Sequence, residues 1–372
     1  MTAPESGYLQ RRLILSALAI MAWAAPSVVW AQDKAPSGVT LQQRGYGWLL
    51  ADAKGMMLYT YTPDQEPGKS ACNGQCAVVW PPLTAPADAK AAGDWSALKR
   101  DDGVMQWAFR GKPLYGYSRD VAPGNANGDE INQQWFMATK PIATPTGFAI
   151  LKSQHGHLLV DLKKMTLYTS DADKPGKSMC DALCARTWRP VEAWWSAATT
   201  DSDWSVVTRD DGTKQWAYKS KPLYRYSGDF KPSEIAGNKV KSWHAVILEP
   251  PPPAPDWVTY QQSDGGELIA DAKGKTMYAH DFVPGRRARG PANGMARPGD
   301  WKPVLALPGS KSVGYWSAVT LENGTQQWAH KGLLLYTNVR DTEPGDLNGV
   351  RSTDRVWRPI MKTGLTMAGT GQ

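Results

Sequence analysis

The chain has 372 residues, with 42% hydrophobic and 21% charged residues and a formal net charge of +7 at neutral pH. The excess charge forms no long Lys/Arg run and no known binding motif accompanies it, so a nucleic-acid partner is excluded and a solvated basic surface near anionic envelope lipids or polymers is expected. Trp is the compositional outlier at 18 residues against 5 Phe. Trp recurs at matched places along the chain, so core duty is expected of it rather than exposed sugar-stacking duty.

The first segment reads as a signal peptide over residues 1–31. Arg11 and Arg12 form a basic start, Leu13–Trp23 is apolar, and Val29-Trp30-Ala31 offers small side chains for cleavage. The apolar run is too short to span a bilayer with ease. The arginine pair before Leu13-Ile14-Leu15 resembles a twin-arginine signal, and an ordinary secretory signal fits equally. No Cys follows the run, so lipid attachment is unsupported. The expected location is periplasmic or secreted, with no transmembrane segment in the mature chain.

Three homologous domains follow, at residues 45–139, 147–249 and 257–362. Met105–Asp120 (MQWAFRGKPLYGYSRD) returns as Lys214–Asp229 (KQWAYKSKPLYRYSGD) and, worn, as Gln326–Asp341 (QQWAHKGLLLYTNVRD). Tyr59 to Trp107 and Tyr168 to Trp216 are both 48 residues apart, and Tyr278 to Trp328 is 50. A repeat at this period fixes the architecture before local structure is considered. The joint at 250–256 is Pro-rich, which favours an extended, semi-rigid spacer.

Each unit is itself doubled. Short apolar or aromatic runs flank Asp-Gly and Lys-Gly turns, as in Leu49–Tyr59 and Asp101–Tyr115, and these are hairpin signals. Met105, Trp107 and Phe109 share one strand face and Gln106 and Ala108 the other. The fold class is therefore all-β, three tandem domains of antiparallel meanders and hairpins. The only helical turns expected are near Cys76–Trp80 and Cys184–Trp188, ended by Pro81 and Pro190.

Four cysteines, Cys72 and Cys76, Cys180 and Cys184, form two pairs of equal spacing. In an exported protein this reads as one disulfide in each of the first two units. Unit three has Arg289 and Arg297 at the two cysteine places, so both are lost together, as partners would be. The alternative is a copper or thiol-redox site on the same four cysteines, with Met56 or Met57 as added soft ligands.

Other chemistry is thin. His155, His157, His244, His280 and His330 occupy no common place in the three units. Asp101-Asp102 and Asp210-Asp211 precede Gly turns, so turn duty outweighs carboxylate-pair hydrolysis. Asn125–Asp129 and Asp346–Gly349 resemble fragments of a calcium loop, but are also ordinary turn formers.

Tyr115-Gly116-Tyr117-Ser118-Arg119-Asp120 and Tyr224-Arg225-Tyr226-Ser227-Gly228-Asp229 share the form Tyr, any, aromatic, any, any, Asp, as does Tyr59-Thr60-Tyr61-Thr62-Pro63-Asp64. With Pro67-Gly68-Lys69-Ser70 before a Cys pair and Trp80-Pro81-Pro82 after it, the chain resembles the bacterial family of secreted repeats known as predicted lipoproteins. The resemblance implies export and no settled biochemical role. Unit three departs from it, with Asn338 at the second aromatic place and Leu334 at that of the proline. Two roles suit the motif residues Tyr59, Tyr61, Asp64, Tyr115, Tyr117, Asp120, Tyr224, Tyr226 and Asp229: core packing with turn capping, or a polar cleft for a ligand or cation. The functional expectation is a non-enzymatic envelope binding or scaffold protein. A copper or thiol-redox protein, or a hydrolase using Asp and Tyr residues, stands as the alternative.

Overall fold

The computed structural model describes residues 35–194, 203–263, 266–280, 299–351 and 357–362. The leader at 1–31 and the residues Arg289 and Arg297 lie outside the described residues. From Ala35 onward the chain belongs to one compact unit, built from antiparallel strands.

Unit one opens with the hairpin Val39–Arg44 and Gly47–Asp52, whose second strand also pairs with the closing strand Thr139–Pro141. Unit two repeats this with Phe148–Ser153, Gly156–Asp161 and Ile247–Glu249. The last strand of each of these units thus returns to its beginning. Between them, Tyr59–Tyr61 pairs with Trp135–Met137, and Tyr59 bridges Tyr115. A second hairpin, Trp95–Lys99 with Met105–Phe109, continues into Lys112–Pro113. The turn into that third strand, Arg110-Gly111, has φ of 51° and 76°, the two positive values of the primed turn that matches strand twist. Lys331-Gly332 makes the same turn in unit three, with φ of 50° and 72°.

Strand alternation divides unit one between two cores. Leu49, Ala51, Met57, Tyr59, Tyr115, Tyr117 and Trp135 enter one cluster. Leu50, Leu58, Leu114 and Ala138 enter the other, with Trp95, Trp107 and Phe109. A one-residue slip would exchange the two sets, so register is set by both faces at once. Both faces of Met105–Phe109 are covered: Trp107 and Phe109 are buried, and so are Gln106 and Ala108. Gln106 is tolerated there because its amide donates to the Leu114 carbonyl at 2.8 Å and its oxygen accepts from Arg100 at 2.8 Å. The two short helices are Gln75–Val79 and Cys184–Thr187, at the places the sequence indicates. Among the described residues, no helix is long and apolar enough to cross a membrane.

Candidate functional site

The doubled plan of a unit produces a reciprocal pair of hydrogen bonds. Tyr59, from the first motif, donates to Asp120 of the second at 2.6 Å. Tyr115, from the second, donates to Asp64 of the first at 2.8 Å. The other oxygen of each Asp accepts a backbone N–H seven residues on, from Asn127 and Ala71 respectively. Each carboxylate therefore closes its own turn and clamps the opposite half. Unit two repeats the exchange with Tyr168 to Asp229 at 2.5 Å and Tyr224 to Asp173 at 2.9 Å. Unit three keeps one arm, Tyr278 to Asp341 at 2.8 Å.

Burial governs these groups. It raises the Asp120 pKa to about 6, against hydrogen bonds from Tyr59 and Asn127 that lower it. It raises those of Asp64, Asp173, Asp229 and Asp341 as well. The tyrosines are pushed up too, Tyr224 to about 12, by burial first and with the neighbouring carboxylate adding to it. Phenol and carboxylate are each held by the other.

Between the two clamps lie stacked indoles. Trp80 and Trp135 are parallel with centroids 3.8 Å apart, Trp188 and Trp243 at 3.7 Å, and Trp301 and Trp357 at 3.9 Å. The backbone comes close here. A Cβ on Gly128 would sit 2.8 Å from the Trp80 ring, and Gly237 and Gly349 meet Trp188 and Trp301 in the same way. Only glycine fits at these three positions.

Cys72–Cys76 and Cys180–Cys184 are closed as disulfides with Cα separations of 5.2 Å. Copper or thiol chemistry at either pair would first require reduction. Arg100 holds the loop of unit one in place: its guanidinium donates to the Cys72 carbonyl at 2.7 Å, to Ser70 at 2.7 Å and to Gln106. Ser70 in turn meets the Tyr115 hydroxyl at 2.8 Å. Arg209, Ser178 and Gln215 rebuild the network in unit two. Sequence reasoning missed both arginines and Asp173. Aligning unit two on Tyr168 would have found Asp173, although Ser170 breaks the aromatic motif there.

The three units meet at a second site. Asp129 of unit one is buried and faces Lys152 of unit two as an ion pair, with the Tyr315 hydroxyl of unit three donating to it at 3.3 Å. Lys331 of unit three donates to the Asp129 carbonyl at 2.8 Å and pairs with Glu130 at 3.1 Å. Burial would raise the Asp129 pKa, but Lys152 and Lys331 hold it below the ordinary value. Beside this node is a cavity of about 750 Å³ whose walls include Tyr46, Phe136, His157 and His330. The linker residues Pro250–Pro253 line it too, so the linker is packed between units: a Cβ on Gly314 would lie 2.2 Å from the Pro253 carbonyl. Burial and Lys152 take the His157 pKa down to about 4, and burial and Lys331 take His330 to about 3.

The remaining candidates serve turns. Asp102 and Asp211 accept the N–H groups of Val104 and Thr213. Asn125 accepts from Val121 and Ala122, and Asp346 from Thr342 and Glu343. Asn125 Oδ1 and one carboxylate oxygen of Asp346 are thus engaged by turns. His155 lies near Lys362 and His244 pairs with Asp171 at 2.7 Å.

A family model described as a secreted repeat of unknown function matches residues 40–84, 96–139, 149–192, 205–247 and 317–361, more than half of the chain. The protein belongs to this family of secreted repeats. Each match contains half a unit, which agrees with the reciprocal clamps: the repeat is the half, and two halves complete each other's hydrogen bonds. In unit three only the second half matches. No curated protein and no solved structure matches the chain.

Proposed function

We propose that this secreted-repeat protein is a non-enzymatic binding or scaffold module of the cell envelope, periplasmic or secreted. The observation that carries this reading is the use of the motif's reactive groups on one another. Tyr59 with Asp120 and Tyr115 with Asp64 are buried, reciprocal pairs, which suits a rigid framework better than a hydrolytic cleft. A ligand would enter at the junction cavity, where all three units contribute walls. Concave sites between domains are a common place for ligands.

The test uses the exported full-length protein, its unfolding temperature being followed with soluble peptidoglycan fragments and, separately, with vesicles containing phosphatidylglycerol. An increase with either probe that disappears in Ala126→Trp, which fills part of the cavity, supports binding there. An equal increase in wild type and variant, or none with either probe, overturns it.

A further inference from the structure

Four rings stand face to face through unit one. From Tyr61 to Trp135, Trp80 and Tyr117 the centroid separations are 4.1, 3.8 and 4.3 Å, with interplanar angles of 17°, 2° and 26°. Aromatic pairs packed only to exclude water favour offset or edge-on contacts. The central indoles instead overlap nearly face on, since a 3.8 Å centroid separation leaves little room for lateral offset. Tyr59 meets Trp80 edge-on at 5.4 Å, and Tyr115 meets Trp135 edge-on at 5.1 Å. Both tyrosines are the ones whose hydroxyls donate to buried carboxylates. Tyr61, at one end of the column, is half-buried, whereas Trp135, Trp80 and Tyr117 are buried.

We propose that this column is a one-electron relay, in which a hole entering at Tyr61 passes through Trp135 and Trp80 and is trapped on Tyr59 or Tyr115 as a neutral tyrosyl radical. Overlapping π systems share a hole readily. A tyrosine can hold one stably only if its phenolic proton has somewhere to go, and here a carboxylate already accepts that hydrogen bond.

The step balances as follows. A high-valent metal oxidant in solution takes one electron from the column and is reduced by one electron. Tyr59 passes one electron to the oxidised rings, which return to neutrality. Its phenolic proton crosses the existing hydrogen bond to the Asp120 carboxylate, leaving a neutral Tyr59 radical and a protonated Asp120. A one-electron reductant of the ascorbate class supplies the electron that restores Tyr59, and the proton returns from Asp120. Burial and Asp120 push the Tyr59 pKa further above its ordinary value, so the phenol carries its proton before oxidation. Asp120 is the acceptor, its oxygen lying 2.6 Å from the Tyr59 hydroxyl.

The column shortens along the chain. In unit two Ser170 stands at the place of Tyr61, leaving Trp243, Trp188 and Tyr226. In unit three Asn338 stands at the place of Tyr117, and the stacked pair Trp301 and Trp357 remains. Unit one is therefore where the relay is expected.

The oxidant is generated in the full-length protein's solution by photolysis of ruthenium tris-bipyridine with persulfate. In wild type, flash photolysis is expected to show tryptophan-radical absorbance decaying as tyrosyl absorbance rises, with that conversion slowed in D₂O. Electron paramagnetic resonance on frozen samples is expected to show a tyrosyl signal that is lost in the double variant Asp64→Asn, Asp120→Asn, while the tryptophan signal persists. A tyrosyl signal unchanged in that variant overturns the proposal. So does wild-type conversion with no D₂O effect, a result that does not depend on any variant folding.

Discussion

In units one and two the second hairpin looks after its own turn. Arg110 pairs with Asp94 at 2.9 Å and Lys219 with Asp203 at 3.8 Å. Unit three has Tyr315 at the place of the Asp and His330 at the place of Phe109 and Tyr218. The backbone bond that anchors the turn is unchanged: Arg110 to Asp94, Lys219 to Asp203 and Lys331 to Tyr315. What changes is where the cation goes. Without an acid of its own, Lys331 crosses to Asp129 and Glu130 of unit one, lying over the Tyr315 ring at 4.6 Å on the way. A unit that reads in sequence as decayed has turned an internal turn lock into a contact between units.

Lys331→Met is the hardest test of that comparison. The lysine side chain is 2% exposed, whereas that of Lys219 is 61% exposed. Removing one partner from a buried charge cluster costs about 4 kcal/mol, and exposed pairs contribute little. Lys331→Met is expected to lower stability in urea by that amount and to split calorimetric unfolding into two transitions as unit three separates. Lys219→Met is expected to leave both measurements unchanged. Equal effects of the two variants would mean that unit three is held by something other than this lysine.

A second contrast concerns the disulfide-bearing halves. Arg100 and Arg209 are buried and support the first cysteine's carbonyl, the serine beside the Tyr hydroxyl, and a buried Gln. Unit three has Leu321 at this place and Val283 at that of Asp64 and Asp173. Arginine, disulfide and reciprocal acceptor therefore disappear as a set. Arg100→Met removes the donor to the Gln106 and Asn73 side-chain oxygens and the 2.7 Å bond to the Cys72 carbonyl, and is expected to destabilise by about 3 kcal/mol. Leu321→Met exchanges one apolar side chain for another and is expected to cost about 1 kcal/mol or less. Urea unfolding of the two variants decides it; a loss for Arg100→Met as small as that for Leu321→Met would remove the network from the account of why the set is lost together.

The strands, the doubled units, the cysteine partners and the two helical turns were legible because each leaves a local signature: alternation, Asp-Gly turns, matched spacing, a following proline. The motif residues were legible as residues, but their pairing was not. Tyr59 and Asp120 are brought together by antiparallel pairing of two halves, a relation that no window of sequence contains. Arg100 was hidden for a related reason, being one arginine among many until burial and a carbonyl partner single it out. Tyr315 and His330 show in sequence only as departures from the repeat, and Lys331 only as a match to Lys219. The role of Tyr315 and Lys331 appears only against Asp129, about two hundred residues away.

His330 offers the finest version of the same contrast. Its imidazole is buried beside Trp316, and burial and Lys331 bring its pKa down to about 3, against about 6.5 in an unfolded chain. The fold thus prefers the neutral ring, and the unfolded chain binds the proton first. The stability contributed is fully present above pH of about 6.5 and is lost as pH falls from there towards 3. His330→Phe installs the residue unit one carries as Phe109 and removes that loss. Unfolding temperatures of wild type and variant are expected to run parallel above neutrality and to diverge on acidification, with the variant retaining more stability and the slopes differing by about one proton. His157, taken down to about 4 by burial and Lys152, titrates in the same range in both proteins, so the difference between the curves isolates His330. Curves that remain parallel to pH of about 4 would mean that the ring is not held neutral in the fold. The place occupied by Phe109, Tyr218 and His330 would then distinguish the units by shape alone.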